Sequence, residues 1–203
     1  MKKLSLKTIF SNMLEAATAY QKSENDMVFG EGNTNARIML IGEAPGAEET
    51  RLSQPFVGQA GKNLDVFLYE LGQARRDIYI TNVVKFRPYK ISAKGTVSNR
   101  PPTSGEIACM LPHLLREIEA VSPEIVVTLG NVPLRCILQN RKATIGTYHA
   151  VPTAASALSH TFILFPLYHP ASVIYNPSLK SVYMQDIIHL KQYIEAIKTI
   201  KSP

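Results

Sequence analysis

Cysteine is scarce in this chain of 203 residues: Cys109 and Cys136 are its only two, distant from each other and each set among apolar residues. A disulfide framework is therefore not expected, and both read as buried, reduced thiols. No apolar stretch is long enough to cross a bilayer, and the basic start, Met1 to Phe10, has no uninterrupted apolar region before Glu15. Neither a spanning helix nor a secretion signal fits that pattern, so a soluble, cytoplasmic protein with no membrane partner is expected. Internal repeats, low-complexity tracts and composition shifts are also missing, which points to a single domain over residues 1–203. No acidic residue lies between Lys85 and Arg100, a stretch that also holds Arg87, Lys90 and Lys94. With a formal charge of +6 and a pI near 9.3, that concentration favours a polyanion such as nucleic acid as partner.

Four apolar runs have strand character: Ala36 to Ile41, Ile78 to Val84, Glu124 to Leu129 and Thr161 to Pro166. Their near-continuous apolarity predicts strands covered on both faces, as in a parallel sheet. Helical spacing appears at about residues 4–22, 60–71, 104–120, 132–138 and 179–200. Alternating strand and helix predicts an α/β three-layer sandwich, with a central four-stranded parallel sheet flanked by helices. The proline-rich, basic stretch at about 86–103 has no period and reads as a loop, long enough to be functional, with its cations meeting phosphate. Residues 140–161 read as a second loop without assigned purpose.

Four short segments each put a chemically capable side chain at or just past the end of an apolar run: Gly42-Glu43-Ala44-Pro45-Gly46, Pro55-Phe56-Val57-Gly58, Thr81-Asn82-Val83-Val84-Lys85 and His169-Pro170-Ala171. Parallel sheets gather their active sites at such ends. A glycine-rich turn alone would also suit an α/β protein binding a small nucleotide, but that reading leaves the basic stretch unexplained.

In this order, and with Gly61-Lys62-Asn63-Leu64 between them, the segments resemble the uracil-DNA glycosylase superfamily, nearest its family 4 branch, from about Val28 to Asp186. The resemblance implies a monofunctional enzyme of base excision repair that hydrolyses the N-glycosidic bond of uracil in single- or double-stranded DNA, releasing free uracil and leaving an abasic site. It implies Phe56 as the stacking surface, Asn82 as the amide that reads uracil, and His169 as donor to uracil O2. Glu43 would orient water or face the sugar cation, Ala44 would line the turn beside the base, and Glu49 would help exclude the thymine methyl. Lys85, Arg87, Lys90, Lys94, Arg100, Ser172 and Tyr175 would contact DNA, with Tyr175 wedging by stacking where the family usually has an arginine. A monomer is expected. Alternatives are a glycosylase for another deaminated base, such as hypoxanthine or xanthine, and an inactive DNA-binding homologue.

Family 4 enzymes also carry an iron-sulfur cluster on four cysteines. Here only Cys109 matches a ligand position: Phe86 replaces the third, and residues near Glu15 and Thr18 replace the upstream pair. One thiolate cannot hold a cluster that needs about four. No cluster, metal or other cofactor is therefore expected, with packing around Phe86 and the N-terminal helix taking over the bracing.

Overall fold

The structure is a computed structural model that describes residues 4–201, apart from the side chains of residues 174, 175, 198, 200 and 201. The chain opens with α1 (Leu6–Ala17), capped where the Ser5 hydroxyl accepts the Thr8 amide. A two-residue β1 (Glu31–Gly32) and then β2 (Ile38–Gly42) lead into a short α2 (Ala47–Leu52) and α3 (Gln59–Leu71). Next come β3 (Tyr79–Asn82), a hairpin of β4 (Tyr89–Ile91) and β5 (Val97–Asn99), α4 (Ser104–Val121) and β6 (Ile125–Leu129). The remainder is α5 (Asn131–Leu138), α6 (Ile145–Tyr148), β7 (Thr153–Ala157), β8 (His160–Leu167), α7 (Ser172–Tyr175) and α8 (Lys180–Lys201).

The expected four-stranded parallel sheet forms the centre, in the order β3-β2-β6-β8. The full sheet is larger, with six strands, because β1 and β7 add antiparallel edges beside β3 and β8. Neither edge announces itself: β1 is two residues long, and β7 is Thr-Ala-Ala-Ser-Ala inside the stretch read as a loop. The basic stretch also corrects its expectation, since β4 and β5 pair from Tyr89↔Asn99 to Ile91↔Val97 around a turn at Gly95, whose φ of +79° suits glycine.

Alternation along the strands divides the core into two layers. Met39, Ile41, Tyr79, Val126 and Leu164 face α1, α4 and α5. Ile38, Leu40, Ile80, Val127 and Phe165 face α3 and α8. Each fully buried apolar side chain contributes about 1.5–3 kcal/mol, so both faces must stay covered. All four parallel strands point the same way, which delivers Gly42, Asn82, Leu129 and Leu167 to one edge of the sheet. Among the described residues, no helix is long and apolar enough to cross a membrane.

Phe86 is wholly buried, in the layer that also holds Ile9, Met13, Met110 and Leu114 of α1 and α4, and its ring packs 5.7 Å from that of Tyr20. Phe86→Ala is expected to cost about 3–5 kcal/mol of unfolding free energy in urea denaturation. A loss below about 1 kcal/mol would remove this ring from any bracing role.

Candidate active site

At the carboxyl edge of the sheet lies a cavity of about 350 Å³ whose walls include Ala44, Glu49, Phe56, Asn82, Asn99 and His169. Its size is within the usual range for a small-molecule site, about 300–1,000 Å³. A larger hollow of about 640 Å³, between the start of α4 and α5, holds none of the motif side chains.

Phe56 forms the floor. A Cβ on Gly42 would come within 2.5 Å of the Phe56 ring and 2.4 Å of Asn82 Oδ1, so only glycine lets ring and amide meet over the end of β2. Phe56 has φ +55°, a left-handed conformation costly for a bulky residue. The surroundings impose it. Arg75 donates to the carbonyls of both Pro55 and Phe56, the latter at 3.0 Å. Gly61 allows α3 to approach, since a Cβ there would lie 2.0 Å from the Phe56 carbonyl oxygen. Arg75 was not foreseen; its signal, a cation 19 residues from the aromatic it holds, has no local pattern.

Asn82 is buried, and its side-chain amide has no hydrogen-bond partner among the described residues. Its main-chain carbonyl accepts from Lys85 Nζ at 2.6 Å. Here the structure overturns an expectation, because Lys85 has no exposed surface and cannot meet a phosphate. Its ammonium also donates to Thr81 Oγ1 and to Glu117 Oε2 of α4, at 2.7 Å from the latter. Glu117 is equally buried and accepts from Tyr79 Oη at 2.8 Å and Thr81 Oγ1 at 3.1 Å. Burial pushes the Lys85 amine below its ordinary value, opposed by the Glu117 carboxylate. The short spacing Thr81-Asn82-Val83-Val84-Lys85 turns the lysine back under its own strand end, a fold-back that charge counting alone does not reveal.

His169 follows β8, and its ring lies 5.9 Å from that of Phe56. Burial drives its pKa down to about 4, with the nearby Glu49 acting in the opposite direction. The Ala171 amide donates to Nδ1 at 3.1 Å, so the neutral ring carries its proton on Nε2. No partner for Nε2 is found among the described residues, which leaves a donor free for a ligand.

Glu49 joins two walls: its carboxylate accepts from the Gly46 amide at 3.1 Å and the Gly58 amide at 2.9 Å. Glu43 does not line the cavity. One residue past Gly42, it continues the alternation of Met39 and Ile41 onto the α5 side, where its charge helps raise the Cys136 thiol, mainly displaced by burial. Burial raises the pKa of Glu43 itself.

Of the other expected DNA contacts, Lys90 and Lys94 are exposed on the hairpin, and Arg87 donates to Asn99 Oδ1 at 2.7 Å. Arg100 is committed elsewhere. Its guanidinium makes two bonds of 2.7 Å to Glu106, at the start of α4, and a third to the Tyr89 carbonyl, so its charge is answered within the protein rather than offered to phosphate. Ser172 is half-buried, its amide donating to the His169 carbonyl, and the side chain of Tyr175 lies outside the described residues.

A family model described as the Uracil DNA glycosylase superfamily matches residues 29–190. The chain belongs to that superfamily. It is 36% identical over 179 residues to the Type-4 uracil-DNA glycosylase of Saccharolobus solfataricus, covering 86% of this chain and 79% of that one. It is 34% identical over 194 residues to the Type-4 uracil-DNA glycosylase of Thermotoga maritima, covering 94% and 95%. A crystal structure of wild-type Pedobacter heparinus SMUG2 shares the fold, with a TM-score of 0.53 at 14% identity over 82% of this chain and 76% of that one.

The residues at the family 4 cluster positions do not fit an iron-sulfur group. Phe86 and Tyr20 fill the space, the Lys22 ammonium lies 5.7 Å from the centre of the Phe86 ring, and the Thr18 hydroxyl is turned to the Glu15 carbonyl. Cys109 donates to the Ala16 carbonyl, and burial raises its pKa, away from the thiolate a ligand must be. Among the described residues, no three His, Cys, Asp or Glu side chains are grouped to hold a metal ion.

The ion pair under Asn82 makes a stability test. Lys85→Met leaves the Glu117 charge buried alone and should cost about 3–5 kcal/mol, much of it regained when Glu117→Leu is added. If urea unfolding shows the double variant no more stable than the single one, the two charges are not coupled in this way.

Proposed function

We infer that this chain is a uracil-DNA glycosylase of base excision repair, hydrolysing the N-glycosidic bond of uracil in DNA and leaving an abasic site. The observation that carries the reading is the meeting of an aromatic floor, an unpartnered amide and a neutral imidazole around one cavity, in a member of this superfamily. The reaction breaks the bond between the base nitrogen and the sugar, forms a bond from water oxygen to that sugar carbon, and moves negative charge onto the departing base. A catalyst must therefore hold the extruded base, receive its developing charge and support the cation left on the sugar.

In the proposed arrangement uracil stacks on Phe56, an interaction worth roughly 1–3 kcal/mol that offsets part of the cost of unstacking. The Asn82 amide donates to O4 and accepts from N3-H, held in place by the lysine bonded to its carbonyl. His169 Nε2-H donates to O2 and stabilises the leaving anion as a neutral donor. Glu43, outside the base cavity but next to Ala44 in its wall, is assigned to the sugar side, where its carboxylate accepts a proton from the attacking water. Glu49 keeps two roles: it ties together the turns that enclose the base, and it crowds the position of a thymine methyl. Ala44 and Ser172 support the turn and the His169 loop, while Arg87, Lys90 and Lys94 remain available to phosphate. Free uracil is the product, no cofactor takes part, and a single domain acts as a monomer.

In single-turnover assays on a uracil-containing oligonucleotide, His169→Ala is expected to slow excision about 10²- to 10³-fold. Asn82→Ala is expected to slow it at least about tenfold. Wild-type rates in either variant would end these assignments, and preferential release of hypoxanthine or xanthine would redirect the base assignment.

Since His169 stays neutral down to about pH 4, its protonation should not produce a rate loss near the ordinary value of 6.5. Burial raises the Glu43 carboxyl above its ordinary value, so Glu43→Gln removes that titration and isolates the histidine: its residual rate should fall only as pH approaches about 4. The same group shapes stability. The unfolded chain binds this proton near 6.5 and the folded one only near 4, so unfolding free energy should decline as pH drops between those values, less so in His169→Gln.

A further inference from the structure

The hairpin β4–β5 has two unlike faces. Tyr89 and Ile91 alternate on one strand and pair with Asn99 and Val97 on the other, so these four side chains share a face. Lys90 and Ser98 occupy the opposite one. Three members of the first face are apolar yet open to solvent: Tyr89 is 41% exposed, Ile91 63% and Val97 47%. The fourth, Asn99, is part of the cavity wall. An apolar strip thus begins at the mouth of the base cavity and runs outward to the hairpin tip.

Cations surround the strip. The Lys22 ammonium sits 4.8 Å from the centre of the Tyr89 ring and the Arg87 guanidinium 5.9 Å, with Lys90 and Lys94 further along the hairpin. The hairpin base is anchored where Arg100 grips Glu106 of α4 while donating to the Tyr89 carbonyl. An anchored ribbon with open apolar side chains between positive charges suits a ligand whose flat, apolar faces alternate with negative charge. Nucleic acid has that composition.

Resting on the uracil-DNA reading of the cavity, we propose that the Tyr89, Ile91 and Val97 face of the hairpin packs against the bases flanking the extruded nucleotide while Lys90 and Lys94 follow their phosphates. Tyr89, nearest the cavity, meets the neighbouring base; Ile91 and Val97 meet the next ones outward. The hairpin then supports the gap from which uracil has been drawn, and continuity with the cavity through Asn99 sets its register on the strand.

The test uses the full chain with Tyr89→Ser, Ile91→Ser and Val97→Ser combined, the single Ile91→Ser variant, and Lys90→Gln with Lys94→Gln. Fluorescence anisotropy on a uracil-free oligonucleotide, across a range of salt, reads affinity apart from chemistry. Stacking loss should weaken the triple variant roughly 5- to 150-fold with an unchanged salt slope, while the lysine variant lowers the slope. In excision assays, the triple variant should lose more on a long uracil-containing strand than on a trinucleotide too short to reach the tip. Binding within twofold of wild type, in the triple variant or in Ile91→Ser should the triple fail to fold, overturns the proposal. So does a slope that falls with the apolar residues, or self-association that disappears while DNA affinity stays, which would make the face a contact between copies. Should wild type release no uracil, the cavity reading fails, and the anisotropy on uracil-free DNA still decides the hairpin.

Discussion

A lysine ammonium with no exposed surface, bonded to Glu117 of α4 and to the main-chain carbonyl of Asn82, is the point from which the Asn82 side of the cavity takes its position. A buried ion pair of this kind is weak evidence for stability, because desolvation consumes much of the attraction. What it supplies is direction. The ammonium has three acceptors placed around it, one of them the main chain of the residue whose amide faces the cavity, so displacing Asn82 would strand a charge in the core. Tyr79 and Thr81 complete the network from the same strand, and Gly30 leaves room for it, since a Cβ there would lie 2.3 Å from Glu117 Oε1.

The opposite wall is held by different means. Phe56 occupies a left-handed conformation unfavourable for an aromatic residue, fixed by Arg75 at its carbonyl and by the close approach at Gly61, while Glu49 holds the Gly58 amide two residues on. Both walls lead back to α3 and α4, one on each face of the sheet. Glu106 in the first turn of α4 fixes Arg100 and the base of the hairpin, and Glu117 three turns later fixes Lys85. One helix therefore sets the relation between the strand end that carries Asn82 and the hairpin that flanks the cavity mouth.

The parallel centre of the fold was legible because strands buried on both faces must be almost continuously apolar, and Ile38 to Gly42 and Ile125 to Leu129 are. The edges were not: β7 packs one face only, and β4 and β5 present Tyr89, Ile91 and Val97 to solvent, where no burial rule applies. Phe56, Asn82 and His169 were legible because each lies in a short motif at a strand end, and the sheet brings them together. Lys85 was misread because its charge was counted without its partner, which arrives from α4 at a separation of 32 residues. Arg75 and the internal commitment of Arg100 were hidden for the same reason, as both depend on pairings that exist only once the chain is folded.

The region around Phe86 joins three elements by packing rather than by thiolates. A four-thiolate cluster would tie the N-terminal segment, the strand end and α4 at one point. Here the same three elements meet through a fully buried ring between Tyr20, α1 and α4, with Cys109 bonded across to the Ala16 carbonyl. Phe86 is the next residue after Lys85, so the packed ring and the buried ion pair constrain adjacent positions of one backbone. Cross-linking by a cluster is a covalent constraint and does not depend on shape, whereas a ring must fit its cavity. The bracing in this chain consequently rests on side-chain volume, and it extends without interruption from the N-terminal helix to the carbonyl of Asn82.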